Sequence, residues 1–269
     1  MDFAIGFVIA VVIALTGVGA GVITAPLLIL FLHIPVAIAV TTALAYSAIV
    51  KLIVVPVQVV RRLVNYRVLA FMLIGGLPGV ILGSIWFKHV AARGSCSLLY
   101  LVLGAVILFA SGWHIFSHFH PVGVTRPPRD RSKLIGAIMF PIGAEVGFSS
   151  SGAGALGTVA LLGMTNLTAA QVVGTDLAFG LAITVVGTGV HLLGGQYAQA
   201  LLVKMAVGGI AGGIFGTVIA PKIPNRTLRL VLSFWLAIVG LQFCYESMSC
   251  SAAHAAPVPH ASLQGKQPQ

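Results

Sequence analysis

Acidic side chains are nearly missing from this chain: five Asp and Glu stand among 269 residues, against fifteen Lys and Arg. Charged residues of both signs reach only 7%, where a soluble domain carries about a quarter, and this excludes an ordinary water-soluble fold. So few carboxylates also leave little material for an oxygen-ligand metal centre. Cysteine is scarce as well, and Cys96, Cys244 and Cys250 show neither metal-ligand spacing nor a disulfide framework. There is no H-E-x-x-H, no G-x-S-x-G and no paired-aspartate motif, so the chain is expected to be no enzyme, with no cofactor and no metal. The opening MDFAIG lacks a basic n-region and a small-residue cleavage site, so no removable signal peptide is expected.

What is abundant is hydrocarbon. Hydrophobic residues make up 58%, and the mean hydropathy is +1.07. Runs such as Val36 to Val60 and Val68 to Phe87 reach the roughly 20 residues a helix needs to cross about 30 Å of bilayer core. The fold class is therefore an all-α polytopic membrane protein. A net charge of +10 can signal nucleic acid, but the basic residues gather in RRLVNYR, KHVAAR, RPPRDRSK and PKIPNRTLR, each between apolar segments. That is the positive-inside pattern, and the expected partner is a lipid bilayer, not nucleic acid.

The chain also repeats itself. At a constant offset of 133 residues and without a gap, Gly19-Ala20-Gly21 falls on Gly152-Ala153-Gly154, and Thr42 and Leu44 fall on Thr175 and Leu177. Gly75, Gly76, Gly79 and Gly83 fall on Gly208, Gly209, Gly212 and Gly216, and Arg93 on Arg226. An ungapped match through loops, glycines and an arginine reads as a duplication. Each half begins with two short apolar pieces around a glycine break and continues with three longer helices. The first half gives 3–15, 22–33, 36–60, 66–88 and 95–116; the second gives 134–146, 154–164, 168–193, 198–219 and 227–248. The organisation is thus repeat 1 over 1–116, a linker over 117–133, repeat 2 over 134–248 and a polar, disordered tail over 249–269.

A piece of 13 residues rises only about 20 Å, too little to cross alone. Two readings are open: the paired pieces form one broken crossing helix, or they fold back as a re-entrant hairpin. In the hairpin reading each repeat has three crossings and the second repeat is inverted. One side then holds Arg61, Arg62, Arg67, Arg126, Arg129, Arg131, Lys133, Lys222, Arg226 and Arg229, against Lys88 and Arg93 opposite. The broken-crossing reading divides the same residues seven to five, so the cytoplasmic bias of Lys and Arg favours the hairpin, with the linker in the cytoplasm.

The stretch TGVGAGVITAPLL, Thr16 to Leu28, gives that break a purpose. Backbone leaves the helix at membrane depth only where protein or a water-filled cavity satisfies it. A helix that restarts there points its free N–H groups and positive dipole end inward. The second half offers GFSSSGAGALGTVALLG from the opposite face, and two such ends meeting near the midplane make a place for a small anion. By contrast, Gly75, Gly76, Gly79, Gly83 and their counterparts sit on unbroken helices at three- and four-residue spacing, which suits close helix packing.

These residues also resemble a known family. GVGAGVITAPLL is similar to the glycine-rich amino-terminal motif of the sulfite exporter TauE/SafE family, also called the toluene sulfonate uptake permease family, and AQVVGTDLAFGLAITVVGTGVHLLGG is similar to its second-repeat signature. The likeness spans both repeats, about residues 5 to 245. It implies a secondary carrier of sulfur-containing anions such as sulfite, thiosulfate or organosulfonates in a bacterial inner membrane. The chain departs from the usual form at Ala20, where a third consecutive glycine is common, and at Val159, in the second proline slot.

Polar residues inside apolar spans each need a reason, because a charge at a helix centre costs about 2.5 to 3.5 kcal/mol. Asp176 is a candidate for a coupling proton, since burial disfavours the charged carboxylate; Glu145 and His191 are further candidates. Lys51 either faces an anion, pairs with Asp176 or snorkels to the edge. Thr16, Gly17, Gly19, Gly21, Thr24, Thr42, Ser149, Ser150, Ser151, Gly152, Gly154 and Thr175 complete the expected substrate site as hydroxyls and backbone donors, although membrane threonines often bond only their own helix. His114, His118 and His120 lack an acidic or cysteine companion and read as a membrane-edge belt in place of a metal site. The expected function is alternating-access transport of a small anion, with protons as co-substrate. The alternative is a cation or metal carrier built on Asp176, Glu145 and His191.

Overall fold

The computed structural model describes residues 2–16, 20–92, 100–102, 104–105, 108–109, 112, 132–150, 157–158, 160–161, 164–193, 197–219, 234, 237–238, 240–245 and 247, with no strand among them. Their continuous helices are α1 (Asp2–Thr16), α2 (Ala20–Leu32), α3 (Val36–Val60), α4 (Tyr66–Ala92), α5 (Ser132–Ser149), α6 (Ala169–Leu192) and α7 (Gln199–Ile219). Four of these, α3, α4, α6 and α7, are long and apolar enough to cross a membrane. The expected helices over 95–116, 154–164 and 227–248 lie partly outside the described residues, as do the linker and tail.

Two helices run further than the sequence suggested. α4 is helical through Ala92, four residues beyond the expected end at Lys88. α5 continues through Gly147 and Phe148 and ends where Ser150 takes a φ of 65°, a left-handed conformation that stops a helix. At the other kind of boundary, Thr168 and Gln171 form a reciprocal capping box that starts α6.

Helix directions follow from glycines at which a neighbour's backbone fills the place of a side chain. A Cβ on Gly208, Gly212 or Gly216 of α7 would meet Phe3, Phe7 or Val11 of α1, so these two helices run parallel. A Cβ on Gly75, Gly79 or Gly83 of α4 would meet Gly136, Phe140 or Ala144 of α5, again parallel. The ring of Tyr46 on α3 covers Gly209 and Val54 reaches Gly213 on α7, while Phe179 of α6 covers Gly76 and Val80 of α4 approaches Gly187. Those two pairs are parallel as well.

α3 and α6 run the other way with respect to each other. Thr41 lies against His191, Leu44 against Gly187, Lys51 against Gly180 and Leu63 against Gly174, so the numbers rise on one helix as they fall on the other. The third helices meet in the same sense where described: Tyr100 packs on Phe243, with ring centroids 5.8 Å apart, and Leu108 on Gly240. Moved by 133 residues, the glycine contacts of α4 and α7 with their parallel neighbours land on one another. Gly75 on Gly136 becomes Gly208 on Phe3, and Gly76 under Phe179 becomes Gly209 under Tyr46.

Candidate substrate site

Where α3 crosses α6, the two helices bury a cation and an acid. Lys51 is 2% exposed and Asp176 3%. α3 turns Leu52, Val59 and Val60 outward, and Lys51 lies off that stripe, so its stem cannot carry the ammonium to the lipid edge. A Cβ built on Gly180 would stand 2.7 Å from Lys51 Nζ, which means the ammonium occupies the hollow left by the missing side chain. Asp176 is one turn before Gly180 and Thr184 one turn after it, on the same face of α6.

The surroundings of this pair are polar but sparse. Thr158 Oγ1 donates to Asp176 Oδ2 at 3.1 Å, and Gly157 brings its backbone against Oδ1, where no side chain fits. Ser47, one turn before Lys51 on α3, is buried, and its Oγ has no hydrogen-bond partner among the described residues. Thr184 Oγ1 donates to the Gly180 carbonyl at 2.7 Å. Under the offset of 133, Lys51 corresponds to Thr184, Ser47 to Gly180 and Asp176 to Ala43. Both charges therefore occur once, although the frame around them occurs twice.

A second polar group sits at the carboxyl end of α6. His191 Nε2 lies 2.9 Å from the Gly147 carbonyl of α5, to which it donates, since a carbonyl only accepts. Its Nδ1 lies 3.3 Å from Thr41 Oγ1 on α3, and the Phe87 ring of α4 covers it at 5.1 Å. Ser84 Oγ donates to the same Gly147 carbonyl at 3.3 Å. Close by on α5, Ser149 Oγ lies 2.9 Å from Glu145 Oε1, and Ser150 is buried with no hydrogen-bond partner for its hydroxyl among the described residues. Fifteen residues of α6, about 22 Å of rise, separate His191 from Asp176. Of the three expected proton carriers, Asp176 stands with Lys51, His191 contacts Gly147 and Thr41, and Glu145 contacts Ser149.

Thr42 and Thr175, counterparts under the offset, do the same work. Thr42 Oγ1 accepts from the Ala198 backbone N–H at 3.1 Å, just ahead of α7. Thr175 Oγ1 accepts from the Asn65 N–H at 3.0 Å, just ahead of α4. Each ties the beginning of a crossing helix to a helix of the other half of the chain. Thr16 closes α1, Gly21 stands in the first turn of α2, and Thr24 is buried in its second. Gly17, Gly19, Ser151, Gly152 and Gly154 lie outside the described residues, as do His114, His118 and His120. Among the described residues, no three His, Cys, Asp or Glu side chains gather closely enough to hold a metal. Ser47, Gly180, Thr184 and Ser84 had no place in the expected site. The spacing 176, 180, 184 on one helix and 47, 51 on the other puts three of them on the faces of Asp176 and Lys51, but the same spacing of small residues recurs along these helices and does not single them out.

Four helices of crossing length around a buried charged pair define a multi-pass membrane protein. The profile of the Sulfite exporter TauE/SafE family matches residues 3–243, and the chain belongs to that family. It is 25% identical over 248 residues to the "Probable membrane transporter protein YjnA" of Bacillus subtilis (strain 168), covering 88% of this chain and 96% of that protein. No solved structure matches it.

Proposed function

We propose that this transporter is a secondary carrier of small sulfur oxyanions, sulfite first among them, and that the anion is met at the α3–α6 crossing. The observation that carries the reading is Lys51: an ammonium held inside a membrane bundle, 2% exposed and facing Gly180 in place of lipid, has a use where a negative solute passes. Ser47 and Thr184 supply hydroxyls on the same two faces, and Asp176 is the proton-coupling group. Ser149, Ser150, Glu145 and His191 form a polar vestibule toward the carboxyl end of α6. Thr16 and Thr24, with the glycine-rich stretches that hold Gly17, Gly19, Gly21 and Ser151, Gly152, Gly154, supply further hydroxyl and backbone donors to the anion.

The chain is read as two inverted repeats, 1–116 and 134–248, joined by the linker 117–133 and followed by the tail 249–269. Two features support this. Counterpart helices α3 and α6 are antiparallel, so the operation that exchanges the repeats reverses helix direction. And α1 and α3 both run parallel to α7, which suits a hairpin of α1 and α2 returning to its own side and not a broken crossing. Alternating access then consists of one repeat rocking against the other around the crossing. The linker and the arginines after α3 face the cytoplasm of a bacterial cell.

The test is flux in proteoliposomes containing the purified protein. Labelled sulfite is expected to accumulate severalfold under an imposed pH gradient, with Mn²⁺ excluded. Accumulation of Mn²⁺ without sulfite movement would reject the anion reading.

A further inference from the structure

The pairing of one buried ammonium with one buried carboxylate among few polar neighbours constrains what such a site can take up. With Asp176 ionised, the pair is neutral when empty; adding a single negative charge leaves the centre at −1. With Asp176 protonated, the empty centre is +1 and the anion restores neutrality. A net charge away from water is disfavoured on the order of 100-fold, so only two of these four forms are comfortable: empty with a carboxylate, and loaded with a carboxylic acid.

We propose that Lys51 and Asp176 form an exchange pair, in which a monovalent oxyanion takes the place of the Asp176 carboxylate as counter-ion of the Lys51 ammonium while Asp176 takes up one proton. This rests on the reading of Lys51 as the anion site. No bond to the anion forms or breaks; the proton moves from water onto a carboxylate oxygen. Three placements support it. Lys51 Nζ sits at the Gly180 hollow, one turn from Asp176, so the ammonium is within reach of both the acid and an incoming anion. The buried Ser47 hydroxyl, without a partner among the described residues, stands on the Lys51 face and is available to the anion. Thr158 Oγ1, at 3.1 Å, donates to the carboxylate, and the same oxygen can accept from the acid form once the hydroxyl rotates.

Other titratable groups on the packed helices are remote or turned away. On α3, Tyr46 donates to the Gly6 carbonyl on the α1 side. On α4, Arg67 is exposed, and Lys88 and His89 stand in the last turns. Glu145 of α5 lies near Gly147, beside His191 at the far end of α6. The described parts of α2 and of residues 157–164 carry no ionisable side chain.

The experiment measures sulfite affinity of the full-length protein from pH 5.5 to 8.5 for wild type, Asp176→Asn and Asp176→Glu. The quotient of wild-type to Asp176→Asn affinity cancels the titration of sulfite itself. It is expected to fall by about tenfold per pH unit on the alkaline side, with Asp176→Glu keeping the slope. A flat quotient with sulfite still bound overturns the exchange pair and leaves the anion carrier standing, whereas wild type that binds no sulfite at any pH overturns both. A second measurement needs no variant. Because both moving forms are neutral, wild-type sulfite flux is expected to stay within twofold when a potential of about 100 mV is imposed with valinomycin and potassium; a severalfold response contradicts the exchange pair.

Discussion

Gly180 and Gly189 stand on the same helix, and their surroundings differ in a way that one methyl group reads out. A Cβ at Gly180 meets the Lys51 ammonium at 2.7 Å, while a Cβ at Gly189 meets nothing within 4 Å. Gly180→Ala is therefore expected to cut sulfite affinity at least tenfold by displacing the ammonium. Gly189→Ala leaves it unchanged and adds up to about 1 kcal/mol of helix stability; equal affinities in the two variants would mean that the hollow does not hold Lys51. At this scale the sequence exposed the charges and hid their neighbours. Lys51 and Asp176 stand out because ions are costly in apolar runs. Ser47, Gly180 and Thr184 do not, because small residues at four-residue spacing occur all along these helices and only the crossing point selects these three. Thr42 and Thr175 show what packing adds: a hydroxyl inside a span looks like a substrate donor, and that each also accepts the N–H ahead of a neighbouring helix could be seen only in the packed structure.

The glycine rows act between whole helices. On α4 and α7 they let α5 and α1 approach until backbone touches backbone, which supplies association where lipid gives no hydrophobic drive. Gly79→Ala places a methyl group against the Phe140 carbonyl, and Gly212→Ala places one against the Phe7 carbonyl. Each is expected to destabilise by about 1–3 kcal/mol, and by similar amounts, because the two contacts are counterparts. Thermal unfolding in detergent checks this, and a neutral effect at both positions would mean that these helices separate freely. The pairing of rows was legible in the sequence, since both the duplication and the packing spacing can be counted. Which helix each row receives was not, because α5 and α1 come from the other half of the chain. The ends of α4 and α5 were placed three or four residues short, since apolar residues beyond an expected end continue a helix until a backbone-breaking position intervenes.

For the whole molecule, antiparallel α3 and α6 put Arg62 and Leu193 at opposite ends of the bundle, both exposed. With Cys96, Cys244 and Cys250 replaced by serine, a membrane-impermeant maleimide on intact cells is expected to label Leu193→Cys and to spare Arg62→Cys and Arg129→Cys in the linker. Labelling of Arg129→Cys together with Leu193→Cys would contradict the inverted arrangement. The antiparallel crossing also draws one centre from both halves of the chain, Lys51 from the first and Asp176 from the second. The most direct measurement is exchange of labelled sulfite across proteoliposomes by wild type and by Lys51→Met, a substitution that keeps the length of the stem and removes its charge. The account predicts rapid exchange by wild type and a loss of at least 100-fold in a variant that remains folded. Exchange by Lys51→Met at the wild-type rate would contradict it.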